Sequence, residues 1–289
     1  MTTALPKCDY LVIGHVTHDL LPGDRGFTMG GTATYSGLVA AALGRQVGIL
    51  TSAGDDCDLT PFAAVAHGER VAVHCHRAPD TTTFENRYTP EGRVQLLHKT
   101  AALLTPDLIP LEWEASPIVH IGPVAAECAP DLTMHFAGRA FVGLTPQGWM
   151  RQRNAHDQVG ARPWYEAEAL LPLASAVVLS LEDLRGDRDL AERWAALTRY
   201  LVVTDGYMGG TLYCDGRPYL FPALRVTELD PTGAGDIFAA TFFCALADGT
   251  DPRLAAHLAA CIASRSIERA GWDSVPTPED RAICNWNWR

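Results

Sequence analysis

The chain has 289 residues, of which 47% are hydrophobic and 20% charged, as in an ordinary soluble globular protein. Its net charge is −11 and its basic residues form no stripe, which argues against nucleic acid or an anionic membrane surface as a partner, because both require Lys and Arg. The only lysines are Lys7 and Lys99 and no Gly-Lys dipeptide occurs, which excludes P-loop enzymes, while the missing catalytic-loop motifs exclude protein kinases.

Strands and helices alternate in the first part of the chain, judging from apolar runs, Ala-rich segments and the Gly and Pro residues between them. The predicted elements are strands at 10–14, 47–50 and 71–75 and helices at 32–43 and 61–67. Gly44 follows the first helix, where a C-terminal glycine is favoured. The stretch 18–23 contains Pro and Gly and is predicted to be a turn.

The segment 81–97 interrupts this alternation. Two β-rich runs, 81–88 and 94–97, flank a turn at 89–92, which predicts a hairpin rather than a strand–helix–strand crossover. We therefore expect the hairpin to belong to a small β-sheet that lies outside the main layer of the fold.

The alternation resumes after this hairpin and continues to the end of the chain. The predicted elements are strands at 118–122, 141–144, 176–179 and 200–204, a hairpin at 211–213 and 218–221, and helices at 234–247 and 252–268. Strands that alternate with helices predict an α/β fold, with a doubly wound, mostly parallel sheet flanked by helices. The sequence has no internal repeat, and we expect a single domain over 1–289.

The eight cysteines include no C-x-x-C pair, and the N-terminus lacks the basic and apolar regions of a signal peptide. We therefore expect reduced thiols in a cytoplasmic protein. No apolar run approaches the roughly 20 residues that cross a bilayer, so no membrane attachment is expected.

The most specific motif is the string DPTGAGD at 230–236, which runs directly into a predicted helix. Gly233 and Gly235 let an anion approach the backbone, and the N-terminus of a helix favours negative charge. Asp236 lies in the first helical turn, beside the same place. A carboxylate next to an anion site suits phosphoryl transfer to an alcohol, because it can take the hydroxyl proton while the amides stabilise the phosphoryl charge. An isolated string of this kind is also compatible with a purely structural turn.

The string resembles the signature of the ribokinase (PfkB) family of ATP-dependent sugar and nucleoside kinases, and further likenesses follow in the family's order. They are Gly14 and Asp19 after the first strand, Gly30-Gly31 before an Ala-rich helix, Gly54-Asp55-Asp56, the string VVTDG at 202–206 with Gly209-Gly210, and the late helix at 256–260. The resemblance covers nearly the whole chain. It implies a ribokinase-like fold with a small β-sheet lid, for which the segments near 18–30 and 78–100 are the candidates.

The resemblance also implies roles for individual residues. Asp236 is the expected catalytic base, and the amides of Gly233, Ala234 and Gly235 are the expected anion hole. The expected substrate-binding residues are Asp19, Gly30, Gly31 and Tyr35. The expected nucleotide-binding residues are Thr204, Gly206, Gly209 and His257, and ATP and Mg²⁺ are the expected cofactors.

Two positions depart from the family pattern. The family usually carries Asn-x-x-Glu near the metal, whereas this chain has SLED at 180–183. Asp183 is therefore expected to hold magnesium through a water, and Glu182 is expected to share the role. Tyr35 stands where sugar kinases have an Asn. Its ring either stacks on a six-membered polyol or fills the space beside a smaller substrate.

Three further features have alternative interpretations. Asp19 is expected to accept hydrogen bonds from two substrate hydroxyls, although an Asp after a strand also caps local amides. The loop 145–151 follows a predicted strand and either borders the site or serves only packing. His74 and His76 share one face of a predicted strand, which favours an ordinary strand over a zinc site.

The sequence therefore predicts a kinase that phosphorylates a small polyhydroxylated molecule, a sugar or a cyclitol, with a loose likeness to inositol kinases at 14–21 and 30–37. The alternatives are a nucleoside kinase of the same family and a non-catalytic sugar- or nucleotide-binding relative. Intact Asp236 and glycines argue against the non-catalytic alternative. The expected partners are the polyol and ATP, and a homodimer is left open.

Overall fold

The structure is a computed structural model that describes residues 5–23, 25–89 and 92–284. The strands are β1 (Tyr10–Ile13), β2 (Thr17–Leu20), β3 (Phe27–Gly30), β4 (Val47–Ala53), β5 (Val71–Arg77), β6 (Thr83–Thr89), β7 (Gly92–Lys99), β8 (Ile118–Ile121), β9 (Phe141–Leu144), β10 (Arg151–Arg153), β11 (Val159–Ala161), β12 (Ala176–Ser180), β13 (Tyr200–Thr204), β14 (Gly210–Cys214) and β15 (Arg217–Phe221). The α-helices are α1 (Thr32–Ala42), α2 (Pro61–Ala64), α3 (Asp131–Phe136), α4 (Ala167–Leu170), α5 (Arg188–Ala195), α6 (Ala234–Ala247), α7 (Pro252–Ser266) and α8 (Pro278–Ile283).

The main layer is a nine-stranded sheet in the order β15-β14-β13-β12-β9-β8-β1-β4-β5. Its strands from β5 to β13 pair in parallel, and β14 and β15 add an antiparallel hairpin at one edge. Successive residues of β1 pack on opposite faces, with Tyr10 and Val12 in one core cluster and Leu11 and Ile13 in the other. The mostly parallel, doubly wound α/β sheet predicted from the sequence is confirmed.

Helices cover both faces of this sheet. Helices α1, α6 and α7 supply the apolar residues of one core cluster, and α3, α4 and α5 supply those of the other. Because all the parallel strands point the same way, their carboxyl ends form one edge of the sheet, where α/β folds place their ligands.

A second sheet of four strands, in the order β3-β2-β6-β7, lies outside the main layer. Its β6–β7 hairpin confirms the predicted hairpin, although Pro90 and Glu91 of the predicted turn lie outside the described residues. The predicted turn at 18–23 is wrong in its first half, because residues 18–20 belong to β2. Residues 18–20 are extended because β2 pairs with β3 on one side and with β6 on the other, and these partners lie elsewhere in the chain.

The structure corrects one further predicted element and adds another. The predicted helix at 61–67 is shortened to Pro61–Ala64, and a 3₁₀ turn, Gly68–Arg70, leads into β5. Strands β10 and β11 form a small antiparallel hairpin that the sequence analysis did not identify. The tail at 285–289 and Asp24 of the proposed lid lie outside the described residues.

The expectation of eight reduced thiols is wrong for one pair. Cys261 of α7 and Cys284, directly after α8, form a disulfide across 23 positions of the chain. Neither their spacing nor their local sequence marks them as partners, since helix packing brings them together. Among the described residues, no helix has the length and apolar character of a membrane span.

Candidate active site

The DPTGAGD string forms a tight turn that starts helix α6. Gly233 is the N-cap of the helix and has a φ of 79°, in the left-handed region that favours glycine. A Cβ atom at this position would lie 2.6 Å from the ring of Tyr35 in α1. Glycine is therefore required here both by the backbone conformation and by the aromatic ring packed against the turn.

The backbone amides at the start of α6 are suited to an anion, although not all of those predicted are available. The amide of Ala234 donates to the carbonyl of Pro231 at 3.2 Å. Those of Gly235 and Asp236 have no backbone acceptor among the described residues, as expected in the first turn of a helix. No atom lies within 4 Å of the position that a Cβ of Gly235 would occupy, so this side of the turn is open.

Asp236 is the third residue of α6 and is partly buried where the starts of α6 and α1 meet. The hydroxyl of Thr32, the first residue of α1, donates to its carboxylate. The hydroxyl of Ser36, one turn further along α1, donates to its main-chain oxygen at 3.3 Å. These contacts fix the carboxylate beside the open amides of its own helix.

Burial raises the pKa of Asp236 to about 6, with smaller upward contributions from the negative charges of Asp19 and Asp183. The Thr32 hydrogen bond and the positive charge of Arg151 act in the opposite direction. A pKa close to neutral suits a general base, because the group is ionised at pH 7 and is more basic than an ordinary carboxylate.

Asp19 lies on β2, in the small sheet. The Thr17 hydroxyl donates to its Oδ1 at 3.0 Å, and burial raises the pKa of the carboxyl to about 6. A Cβ atom on Gly30, in the neighbouring strand β3, would lie 2.1 Å from Oδ2 of Asp19. Gly31 has a φ of 88°, and its Cβ would lie 2.3 Å from the carbonyl oxygen of His15. The glycines therefore pass close to Asp19 and its strand, as the sequence analysis expected.

Tyr35 of α1 is only 3% exposed and is affected by the charges of both carboxylates. Burial raises its pKa, and the negative charges of Asp19, Asp230 and Asp236 raise it further. Because its ring packs against Gly233, this geometry favours the space-filling role over stacking on a polyol.

Asp183 is held at the carboxyl end of β12 by three hydrogen bonds. Its Oδ2 accepts from the Ser180 amide at 2.9 Å and from the Ser180 hydroxyl at 2.7 Å, and its Oδ1 accepts from Gln147 Nε2 at 3.0 Å. Glu182 beside it is exposed. No group of three or more His, Cys, Asp or Glu side chains in the described residues is arranged to hold a metal. The fixed Asp183 carboxylate fits magnesium held through a water.

The expected nucleotide residues fall into two places. Thr204 ends β13, and Gly206 and Gly209, with φ values of 51° and 91°, form the turn to β14. This turn is at the sheet edge that carries Asp183, because Ser180 and Thr204 pair across β12 and β13. His257 lies further along the sheet, on α7, where its Nε2 is 2.8 Å from the hydroxyl of Tyr219 in β15.

The structure adds three residues that the predicted site did not include. Thr32 contacts the Asp236 carboxylate, Gln147 contacts Asp183, and Arg151 places a positive charge near Asp236. Gln147 and Arg151 belong to the loop 145–151, and their contacts support its interpretation as a border of the site. The only available signal was the position of this loop directly after a strand.

Comparison with known proteins gives three kinds of similarity. The model of the pfkB family carbohydrate kinases matches residues 165–279. Cytidine kinase from Thermococcus kodakarensis is 27% identical over 83% of this chain and 89% of that protein. Inositol 3-kinase from Oryza sativa subsp. japonica is 28% identical over 96% of this chain and 72% of that protein.

A similar fold is found in a solved pyrophosphate-dependent kinase in the ribokinase family, complexed with a pyrophosphate analog and myo-inositol. The TM-score is 0.81 at 22% identity, over 95% of this chain and 99% of that chain. The two chains therefore share a fold over almost their whole lengths.

Proposed function

Because the chain belongs to the pfkB family of carbohydrate kinases, we propose that it transfers the terminal phosphoryl group of ATP to a hydroxyl of a small polyol, with a cyclitol as first candidate. One observation carries this proposal. Asp19 and Asp236 are both partly buried, the negative charge of Asp19 contributes to the raised pKa of Asp236, and Asp236 lies beside the open amides of a helix N-terminus. This arrangement combines an acceptor for hydroxyl protons with a site for phosphoryl oxygens.

The reaction follows from the positions of these groups. Asp19 accepts hydrogen bonds from two hydroxyls of the polyol and so orients it. Asp236 takes the proton of the reacting hydroxyl as its oxygen bonds to the terminal phosphorus of ATP. The bond from that phosphorus to the bridging oxygen breaks, and ADP leaves with the bonding electrons. The amides of Gly235 and Asp236 stabilise the phosphoryl oxygens.

Magnesium would be held through water by Asp183, with Glu182 flanking it, and would neutralise phosphate charge when bound. The Ser180 and Gln147 hydrogen bonds fix the Asp183 carboxylate at the sheet edge, so it can orient a coordinated water without rearrangement.

The nucleotide is proposed to lie along the turn between β13 and β14, on Thr204, Gly206 and Gly209. Tyr207 in this turn is 88% exposed and Leu229 before the catalytic turn is 68% exposed, and such apolar surface suits a nucleobase. Pyrophosphate is a second candidate donor, because the solved kinase of similar fold is described as pyrophosphate-dependent.

The small sheet is proposed to be a lid over the polyol. Strand β6 pairs with β2 at Asp19, so the hairpin near 78–100 and the strands near 18–30 move with the substrate-binding carboxylate. A lid at this position excludes water, which would otherwise accept the phosphoryl group.

The proposal is tested by measuring ADP and phosphate release from ATP and magnesium with myo-inositol, other cyclitols, sugars, cytidine and other nucleosides. We expect turnover with a cyclitol and none with Asp236→Asn. Preference for cytidine would favour the nucleoside alternative, for which the 27% identical cytidine kinase is the supporting observation. If phosphorylation occurs with pyrophosphate and not with ATP, the donor is pyrophosphate. Saturable polyol binding without any product would indicate the non-catalytic alternative.

A further inference from the structure

His15 lies in the short connection between β1 and β2, and its side chain is fully buried. Its ring contacts both ends of the β6–β7 hairpin. Nδ1 is 2.6 Å from the hydroxyl of Thr82, the residue before β6, and Nε2 is 2.8 Å from the carbonyl oxygen of Ala102, three positions after β7. The two ends of the hairpin are therefore joined through one imidazole.

The partners of this ring determine which of its nitrogens carries the proton. A carbonyl oxygen only accepts, so Nε2 donates to Ala102. Nδ1 of the neutral ring then accepts from the Thr82 hydroxyl, whose oxygen accepts in turn from the amide of Ala101 at 2.9 Å. Each donor in this chain of hydrogen bonds has one acceptor, and a fully satisfied buried network specifies a single arrangement of its members.

The backbone that carries the imidazole is bonded to the main sheet and its loops. The amide of His15 donates to Oε1 of Glu127, in the loop after β8, at 3.0 Å. The amide of Val16 donates to the hydroxyl of Thr51, in β4, at 2.8 Å. Both acceptor residues are buried. His15 therefore connects the hairpin of the small sheet to the end of β1 and to its neighbours in the main layer.

The position of Asp19 depends on the position of this hairpin. The amide of His18 donates to the carbonyl of Thr82 at 2.9 Å, and Asp19 pairs with Phe84 of β6 in the parallel ladder. A displacement of the hairpin would therefore move the strand that carries Asp19. Group transfer is sensitive to such changes, because a misplacement of about 1 Å can lower the rate by about 10²-fold.

On the basis of the proposed function, we propose that His15 is a positioning residue for the reaction. Its imidazole holds both ends of the hairpin at the end of β1 and thereby fixes Asp19 relative to Asp236. Histidine suits this position because one ring nitrogen donates while the other accepts, so a single side chain bonds both a carbonyl and a hydroxyl. Without these bonds the acceptor is oriented less well, and water reaches the phosphoryl group more often.

Thr82→Val removes the hydroxyl that donates to His15 and nearly keeps the shape of the side chain. Tyr10→Phe is the matched control, because the Tyr10 hydroxyl lies 2.9 Å from Nδ1 of another fully buried histidine, His120 of β8. Each variant removes the hydroxyl beside Nδ1 of a buried imidazole. The first imidazole joins the hairpin to the main sheet, whereas Nε2 of the second is bonded to the hydroxyl of Thr145, after β9.

The first measurement is steady-state kinetics with the best acceptor, in which ADP and phosphorylated acceptor are followed separately. We expect Thr82→Val to raise KM for the acceptor about two- to tenfold, the factor that corresponds to one hydrogen bond, with kcat changed less than about threefold. A larger fraction of its ADP should appear together with free phosphate. Tyr10→Phe should keep the parent KM and the parent ratio of ADP to product. An equal KM in the two variants would overturn the proposal.

Two further variants assign the effect to the bond between His15 and Thr82. Thr82→Ser keeps the hydroxyl and should recover most of the parent KM. His15→Gln should raise KM in the same range as Thr82→Val, and the double variant should be no worse than the more affected single variant, because both changes remove one interaction. Additive effects of the two changes would overturn the role of His15, since Thr82 would then act through another partner.

The second measurement does not depend on turnover. Amide hydrogen exchange of the protein without ligands reports how firmly β6 and β7 are held. We expect exchange in these strands to be about two- to tenfold faster in Thr82→Val and at the parent rate in Tyr10→Phe. Unchanged exchange in Thr82→Val would overturn the role of His15. Failure of the proposed function is seen separately, as absence of wild-type turnover with every acceptor and donor, and hydrogen exchange then decides alone whether His15 holds the hairpin.

Discussion

The two acidic residues of the site belong to regions that are built differently. Asp236 stands on the first turn of α6, whose following residues, from Ile237 on, belong to one of the two large core clusters. Asp19 stands on a four-stranded sheet outside the main layer. Among the described residues, the apolar cluster at that sheet has three buried members, Phe84 and Leu97 of the sheet and Val124 of the loop after β8. Under the proposed function this difference is a division of labour, in which the densely packed region holds the base and the thinly packed region carries the acceptor.

The pKa values of the two carboxyls are both raised to about 6, but their surroundings differ. Burial is the largest cause in both cases. For Asp19 the only opposing effect is the hydrogen bond from Thr17, whereas Asp236 also responds to Asp19, Asp183, Thr32 and Arg151. The pKa of Asp236 thus depends on residues from several elements, one of which, Asp19, belongs to the small sheet.

The strongest test of this division is Asp236→Asn. The amide keeps the shape of the carboxylate but cannot take a proton, and general-base catalysis is worth about 10²–10⁴-fold. We expect kcat to fall by that amount while the dissociation constant for ATP, measured by calorimetry, stays within about twofold of the parent value. A variant that turns over within about threefold of the parent would show that the base lies elsewhere.

The next largest effect is expected for Asp19→Ala. Hydrogen bonds to a charged group contribute about 1.5–3 kcal/mol, so kcat/KM for the best acceptor should fall about 10- to 150-fold. Thermal unfolding distinguishes the two roles of this residue. If Asp19 only caps local amides, the variant loses stability and keeps its catalytic efficiency in the folded fraction, which is the reverse of our expectation.

The two regions also differ in how far the sequence predicts them. The turn that holds Asp236 depends on adjacent residues, because glycines, a helix start and a first-turn carboxylate are all local features. Strand β2 looks like part of a turn in the sequence, since its hydrogen bonds go to β3 and β6 and Thr83 is more than 60 positions beyond His18. The effect of Arg151 on Asp236 depends likewise on the packed fold, so the sequence suggests only the loop that carries it.

A smaller effect is expected on the pH dependence of the free energy of unfolding, through the carboxyl of Asp236. Because the pKa of Asp236 is raised from 3.8 to about 6, the folded protein binds this proton more tightly than the unfolded chain. The stabilisation is therefore complete below about pH 4 and is lost as the pH rises through 6. We expect Asp236→Asn to be more stable than the parent at pH 8 by about 1–2 kcal/mol, after allowing for partial exposure of the carboxyl. Urea unfolding should show this difference shrinking towards pH 4.5, and a difference independent of pH would contradict the burial of the charge.

Gly30→Ala tests whether the small sheet positions Asp19. The new methyl group would lie 2.1 Å from Oδ2, so the carboxylate must move while the strand stays paired. We expect KM for the acceptor to rise about fivefold, which corresponds to about 1 kcal/mol, with kcat nearly unchanged. Gly160→Ala is the control, because its Cβ would have only one neighbour within 4 Å, at 4.0 Å. An equal change in both variants would mean that the position of Asp19 does not depend on Gly30.

An effect of about the same size is expected from the segment that joins the two regions. The Trp272 indole donates to the carbonyl of Met29 in β3 at 3.0 Å, and the preceding amide of Gly271 donates to Asp230, at the start of the catalytic turn, at 3.3 Å. Trp272→Phe removes the first bond but keeps a ring against Phe62, whose centroid is 5.1 Å away. A neutral hydrogen bond contributes about 0.5–1.5 kcal/mol, so KM for the acceptor should rise about two- to tenfold.

Trp164→Phe is the matched control for this exchange, because the Trp164 indole nitrogen is buried and has no hydrogen-bond partner among the described residues. It should leave the acceptor KM unchanged, since the ring lies in the core cluster on the opposite face of the main sheet. If the two variants changed KM equally, the effect would come from lost aromatic packing in general. If only Trp272→Phe raises the KM for the acceptor, the orientation of the acceptor depends on the hydrogen bond between Trp272 and Met29. This bond connects the small sheet to the segment that contacts the catalytic turn.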